Sequence, residues 1–217
     1  PAGISTTTSM TAGNDMGVDM ARSLSGATRA GPSMSAADRL RGMDTITAIR
    51  TLRVVREYAD KPLTEDEVRA LADNARKTGS SKNTQRWDFV TVRDKVALAR
   101  LSGVTIYAKH LPHAGAALAL IVDKPDPDYP RSVLWDLGRA AQNITLSAWE
   151  MGIGSCPITV QDFGLAAEVL GLPKDKECQY IIALGWPADP DDLTRPPKAG
   201  GRKGYDEVVH TERWGEH

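Results

Sequence analysis

One amphipathic stretch set between two apolar runs constrains this chain most. From Leu134 to Met151 the residues Leu134, Leu137, Ala141, Ile144, Ala148 and Met151 recur at spacings of three and four. That is one face of a helix. Gly152 and Gly154 follow and end it. On either side lie "AALALIVD" (116–123) and "CQYIIALGWP" (178–187), both read as buried strands.

Shorter signals fill in the rest. Thr64-Glu65-Asp66-Glu67 is a capping box, opening a helix with Val68, Leu71, Ala72 and Ala75 on one face. "WDFVTV" (87–92) reads as a strand bounded by Asp94, and Asp162 caps a helix through Val169 and Leu170, closed by Gly171 and Pro173. Upstream, Ser35 with Asp38 resembles a capping box, and Asp44 caps a further helix with Ile46 and Ile49 on its buried side. A Pro/Gly-rich loop, 190–204, leads to "YDEVVH", read as a last short strand. Helices and strands alternate irregularly, so the fold class is α+β rather than doubly wound. Residues 1–34, rich in Gly, Ser, Thr, Ala and Met, form an N-terminal arm or extension, and the packed domain is expected over 35–217.

The net charge of −1 gives no electrostatic preference for nucleic acid or an anionic membrane. No apolar run approaches the ~20 residues that span a bilayer. Cys156 and Cys178 form no CxxC pair and no disulfide framework, so a cytoplasmic setting is expected.

Several chemistries are set aside. "MGIGSCP" places Pro157 where a dinucleotide fingerprint has its third glycine, and its glycines follow a helix rather than a strand. Pro112 between His110 and His113 argues against a helical metal pair, so both read as ordinary surface or loop histidines and no metal is expected. Cys156 reads as a small buried residue.

Two basic groups remain. Arg50, Arg53 and Arg56 stand three apart in "AIRTLRVVREYADKP" (48–62), and Arg202 and Lys203 follow two glycines in "GGRKG" (200–204). Arginine offers a fork to phosphate oxygens and lysine a point charge. The polar loop "GSSKNTQRW" (79–87) is either a plain connection or a ligand loop.

These segments together resemble the flavin-dependent nitroreductase family. The block from Ala48 to Asp94 looks like its opening motif and loop, "QNITLSAWEMGIGSCPI" its central helix and turn, and "GGRKGYDEVVHTERWG" its closing segment. The resemblance implies an α/β/α sandwich with a mainly antiparallel sheet, in an intertwined homodimer. It also implies FMN at the interface, NADPH or NADH as hydride donor, and two-step exchange through flavin N5 with a nitroaromatic or quinone acceptor.

By position, the resemblance puts Arg53, Arg56, Arg202 and Lys203 on the flavin's phosphate side. Ser80, Ser81 and Asn83 fall in the loop that reaches the flavin, usually from the other subunit. Gln142 aligns with a polar contact on the central helix. Pro157, Ile158, Thr159 and Val160 align with the segment beside the isoalloxazine, whose backbone N–H groups face N5. Tyr129, Arg131 and Trp135 are offered as substrate contacts, with core packing the other reading for the tryptophan. The chain departs from the family at Leu52 and Val54, which replace an arginine and a serine, at Gly79, which should loosen the loop, and at Arg86, which stands where a proline is usual and could meet a 2′-phosphate. A specialised flavin dehydrogenase or dehalogenase, or a non-catalytic flavin-binding protein, are the alternatives.

Overall fold

A computed structural model describes residues 45–125, 131–197 and 200–217. The expected caps at Ser35 and Asp44, the boundary near residue 35 and the candidate contact Tyr129 lie outside them.

Among the described residues the strands β1 (Asp88–Val92), β2 (Ala116–Asp123), β3 (Gly154–Thr159) and β4 (Lys176–Gly185) form one sheet in the order β1-β2-β4-β3. Every pairing in it is antiparallel. The helices are α1 (Thr45–Thr51), α2 (Glu65–Arg76), α3 (Lys95–Leu101), α4 (Arg131–Glu150), α5 (Phe163–Leu170) and α6 (Tyr205–Val208).

The apolar run of β2 is explained by its position inside the sheet. Ala116, Leu118, Leu120 and Val122 meet Leu71 of α2 and Leu137 and Ile144 of α4. The alternate residues Ala117, Ala119 and Ile121 join Leu98 and Leu101 of α3 and Ala166 of α5. Period-2 alternation thus feeds two cores from one strand, and the α/β/α sandwich follows. Each fully buried Leu or Ile contributes about 1.5–3 kcal/mol of burial.

Local signals place the helices. Thr64 caps α2 with the reciprocal Glu67 contact, and Asp94 and Asp162 cap α3 and α5. Gly152, at φ 76°, turns the chain after α4, but Gly154 is already in β3. Its reason is proximity: a Cβ there would stand 2.7 Å from Val55 Cβ. Likewise a Cβ on Gly185 would meet Tyr58 at 2.7 Å. Both glycines let the segment after α1 lie against the sheet.

Three expectations are corrected. "YDEVVH" is not a strand: Tyr205–Val208 is a helical turn, with Glu207 accepting from the Gly204 N–H at 3.2 Å. Acidic residues suit a first helical turn, and no described strand pairs with this segment. On α1, Ile46 and Ile49 are more than half exposed, and Ala48 is the buried residue. In α4, Leu134 is also exposed while Leu137, Ile144 and Ala148 are buried. No helix among the described residues is long and apolar enough to cross a membrane.

Candidate functional site

The three opening arginines do not form one cluster. After α1 the chain runs extended alongside β3: Val54 bridges Ser155 in parallel, and the Val55 N–H donates to the Ser155 carbonyl at 3.0 Å. Val55 is fully buried against Trp149 and Leu193. Arg56 lines one recess beside β3, while Val54 lines another with the end of α1.

The first recess, about 400 Å³, gathers Arg56, His110, Cys156, Gln161 and the exposed side of β3 at Pro157 and Thr159. Here β3 is an edge strand. Since the Ser155 carbonyl faces Val55, the backbone groups of Pro157 and Thr159 face the same outer side, by alternation along the strand. Those of Cys156, Ile158 and Val160 face β4, and the Val160 N–H donates to Gln179 at 3.1 Å. Pro157 has no N–H, and that of Gln161 is taken by the Val104 carbonyl at 3.0 Å. Of the four positions 157–160, therefore, Thr159 alone offers a backbone donor on the outer edge.

His110 is not a surface residue. It is 8% exposed, its Nε2 is buried without a hydrogen-bond partner, and its ring lies 6.4 Å from that of Tyr58. Burial, and next the Arg56 charge, push its pKa below the usual imidazole value, while a hydrogen bond to the Tyr107 backbone acts the other way. Burial raises the Cys156 thiol, which makes it a poor nucleophile. His113, by contrast, is exposed.

The second recess, about 590 Å³, is walled by Ile49, Leu52, Val54 and Pro197, with Arg50, Arg53, Gly201 and Arg202 around it. Arg53 and Arg202, far apart in sequence, thus line the same recess. Arg53, however, is turned onto backbone: its Nε donates to the Arg195 carbonyl at 2.7 Å and its Nη1 to those of Leu52 at 2.8 Å and Arg50 at 3.2 Å. The Arg50 and Leu52 carbonyls lie at the end of α1, where a helix leaves acceptors unsatisfied. Arg195, which sequence reasoning missed, donates to the Val54 carbonyl at 2.8 Å. Lys203 is exposed and lines neither recess.

The loop carrying Ser80, Ser81 and Asn83 is held elsewhere, on α4. Buried Asp136 accepts from the Ser81 N–H at 2.7 Å, and Arg139 donates to the Gly79 carbonyl at 2.9 Å. These bonds fix a loop that Gly79 was expected to loosen. Lys82, Asn83 and Gln85 all have φ near 50°. Non-glycine residues there cost about 1 kcal/mol or more each and concentrate at functional sites. Gln142 is exposed on α4, as are Arg131 and Trp135, the last 72% exposed and so not core. None of these residues lines either recess. Arg86 bonds Asp123 at 3.0 and 3.1 Å, so its charge is spent within the fold.

Comparison with known proteins agrees with the architecture. The model of the nitroreductase family matches residues 49–114 and 103–186. A protein of Archaeoglobus fulgidus, provisionally named NADH dehydrogenase/NAD(P)H nitroreductase, is 29% identical over 177 residues, covering 79% of this chain and 99% of its own. The oxygen-insensitive NADPH nitroreductase of Salmonella typhimurium is 26% identical over 163 residues, covering 69% and 68%. Among solved structures, an FMN-dependent nitroreductase of Clostridium difficile superposes with a TM-score of 0.68 at 25% identity, over 78% of this chain and all of that one. With its motifs, its sheet and its family match in agreement, this chain belongs to the nitroreductase family.

Proposed function

We propose that the chain is an FMN-dependent NAD(P)H oxidoreductase that reduces nitroaromatic or quinone-type acceptors. One observation carries the reading: of positions 157–160 on β3, Thr159 alone offers an outward backbone N–H, beside a recess that holds Arg56. A flavin ring accepts such a bond in its plane, and its reduced form carries negative charge that a guanidinium favours. The residues present therefore fit the group. When bound, FMN would supply two-electron hydride chemistry at N5 between NADH or NADPH and the acceptor.

The protein's own residues then have separable tasks. Thr159 orients the ring, and the partly apolar wall of Cys156, Pro157 and Ile158 excludes water from one side. Arg56 supplies the charge that favours reduction. The second recess takes the phosphate end, with Arg202 and, from beyond its wall, Lys203. Ser80, Ser81 and Asn83 line neither recess of their own chain, which supports their reaching a second subunit's site in a homodimer. Gln142 remains a proposed cofactor contact, and Tyr129, Arg131 and Trp135 proposed acceptor contacts. No side-chain nucleophile is required.

The test is to load the protein with FMN, reduce it anaerobically and offer an acceptor panel. Rapid return of the yellow colour with a nitrofuran and with a quinone is expected. Return only with a halogenated phenol would move the chain to the dehalogenase reading. No return with any acceptor would leave only a flavin carrier.

A further inference from the structure

We propose that Arg50 and Arg202, rather than Arg53, grip the phosphate of FMN in this chain; the inference rests on the FMN reading above. The family resemblance puts the grip on Arg53 and Arg56 together with Arg202 and Lys203, and the family commonly flanks the Arg53 position with a second arginine and a serine. Here those neighbours are Leu52 and Val54, which have no polar side-chain atom to offer. Arg53 itself spends Nε and Nη1 on three backbone carbonyls. To turn outward it would leave those acceptors without donors, an exchange that costs about what a new contact would return.

Two guanidinium groups facing the same recess carry no such obligation. Arg50 is exposed on the last turn of α1, and Arg202 follows Gly200 and Gly201, which sit at φ 94° and 44°. Neither side chain makes a hydrogen bond or ion pair among the described residues. Both line the 590 Å³ recess with Ile49, Leu52, Val54 and Pro197. An apolar wall under two arginines that have no partner among the described residues fits a phosphate monoester on an organic body, and suits free inorganic phosphate less well. Arg50 thus takes over the contact that Leu52 and Val54 no longer provide. Arg53 becomes the brace that holds the wall.

Affinities for FMN and for riboflavin, which lacks the phosphate, separate these roles by fluorescence quenching. Arg50→Gln and Arg202→Gln are each expected to weaken FMN on the order of 10- to 100-fold, the loss of a charge-assisted contact. Riboflavin affinity should stay unchanged in both, and the double variant should bind the two flavins alike. Arg50 loses no partner among the described residues, so the melting temperature of Arg50→Gln should match that of the wild type. The proposal is overturned if Arg50→Gln binds FMN as the wild type does, or if Arg53→Gln loses FMN selectively while keeping riboflavin affinity and melting temperature. A wild-type protein that binds neither flavin would instead overturn the FMN reading itself.

Discussion

Arg53 and Arg195, distant in sequence, cross-brace two segments: Arg53 Nε donates to the Arg195 carbonyl at 2.7 Å, and Arg195 Nη2 donates to the carbonyl of Val54, next to Arg53, at 2.8 Å. The pair ties the segment before the last loop to the segment that carries the candidate cofactor site. Two charged donors meet neutral acceptors, a stronger arrangement than neutral pairs. Arg195→Met should therefore lower stability by about 1–3 kcal/mol. Differential scanning calorimetry checks this, and an unchanged transition would show that solvent replaces the bonds at no cost.

Gly154 offers a second test of how the site is assembled. Gly154→Ala would put a methyl 2.7 Å from Val55 Cβ, within a fully buried contact. The expected cost is about 1–3 kcal/mol, as for overpacking elsewhere. Because Val55 lies between Val54 and Arg56, the variant should weaken FMN and riboflavin together. A loss confined to FMN would contradict this geometry.

The pH dependence of stability follows from His110. Its folded pKa lies below the ordinary value of 6.5, chiefly through burial. Between the folded and unfolded values the unfolded chain binds more protons, so stability rises with pH there and falls on acidification below about 6.5. His110→Gln cannot titrate and should flatten that part of the profile. Urea denaturation across this range measures it, and a slope that survives the substitution would assign the effect to another group.

Thr159→Pro isolates the backbone donor. The Thr159 N–H lies outside the β3–β4 ladder, and Pro157 already occupies an equivalent position on the same edge. The variant should fold, because no ladder bond is removed. It should bind FMN more weakly, by the ~1 kcal/mol of one hydrogen bond, and be reduced more slowly. Val160→Pro is the control, since it deletes a ladder bond to Gln179 and should destabilise the sheet.

Much of the fold was legible because its central elements have long, clean periods. Ala116–Asp123 is a strand over the residues read for it, and the α4 pattern differs from the observed helix by a few residues at the start. α3 went unread because its seven residues show only Leu98 and Leu101 as a buried pair, too short for a period to emerge. The final strand was misread because Val208 and Val209 favour β structure, whereas strands also need a partner. For the site, residue type was legible but direction was not. Arg50, Arg53 and Arg56 are alike in sequence; the end of a helix and the edge of a strand send them to different tasks. His110 carried no signal at all, since the ring packed near it is that of Tyr58, remote in sequence.

The most direct test of the account is an anaerobic titration of the FMN-loaded protein with NADH and with NADPH, read by the flavin's visible absorbance. The account predicts that at least one nicotinamide bleaches the colour at one equivalent per bound flavin. A protein that leaves FMN free in solution, or holds it without bleaching by either donor, would contradict it.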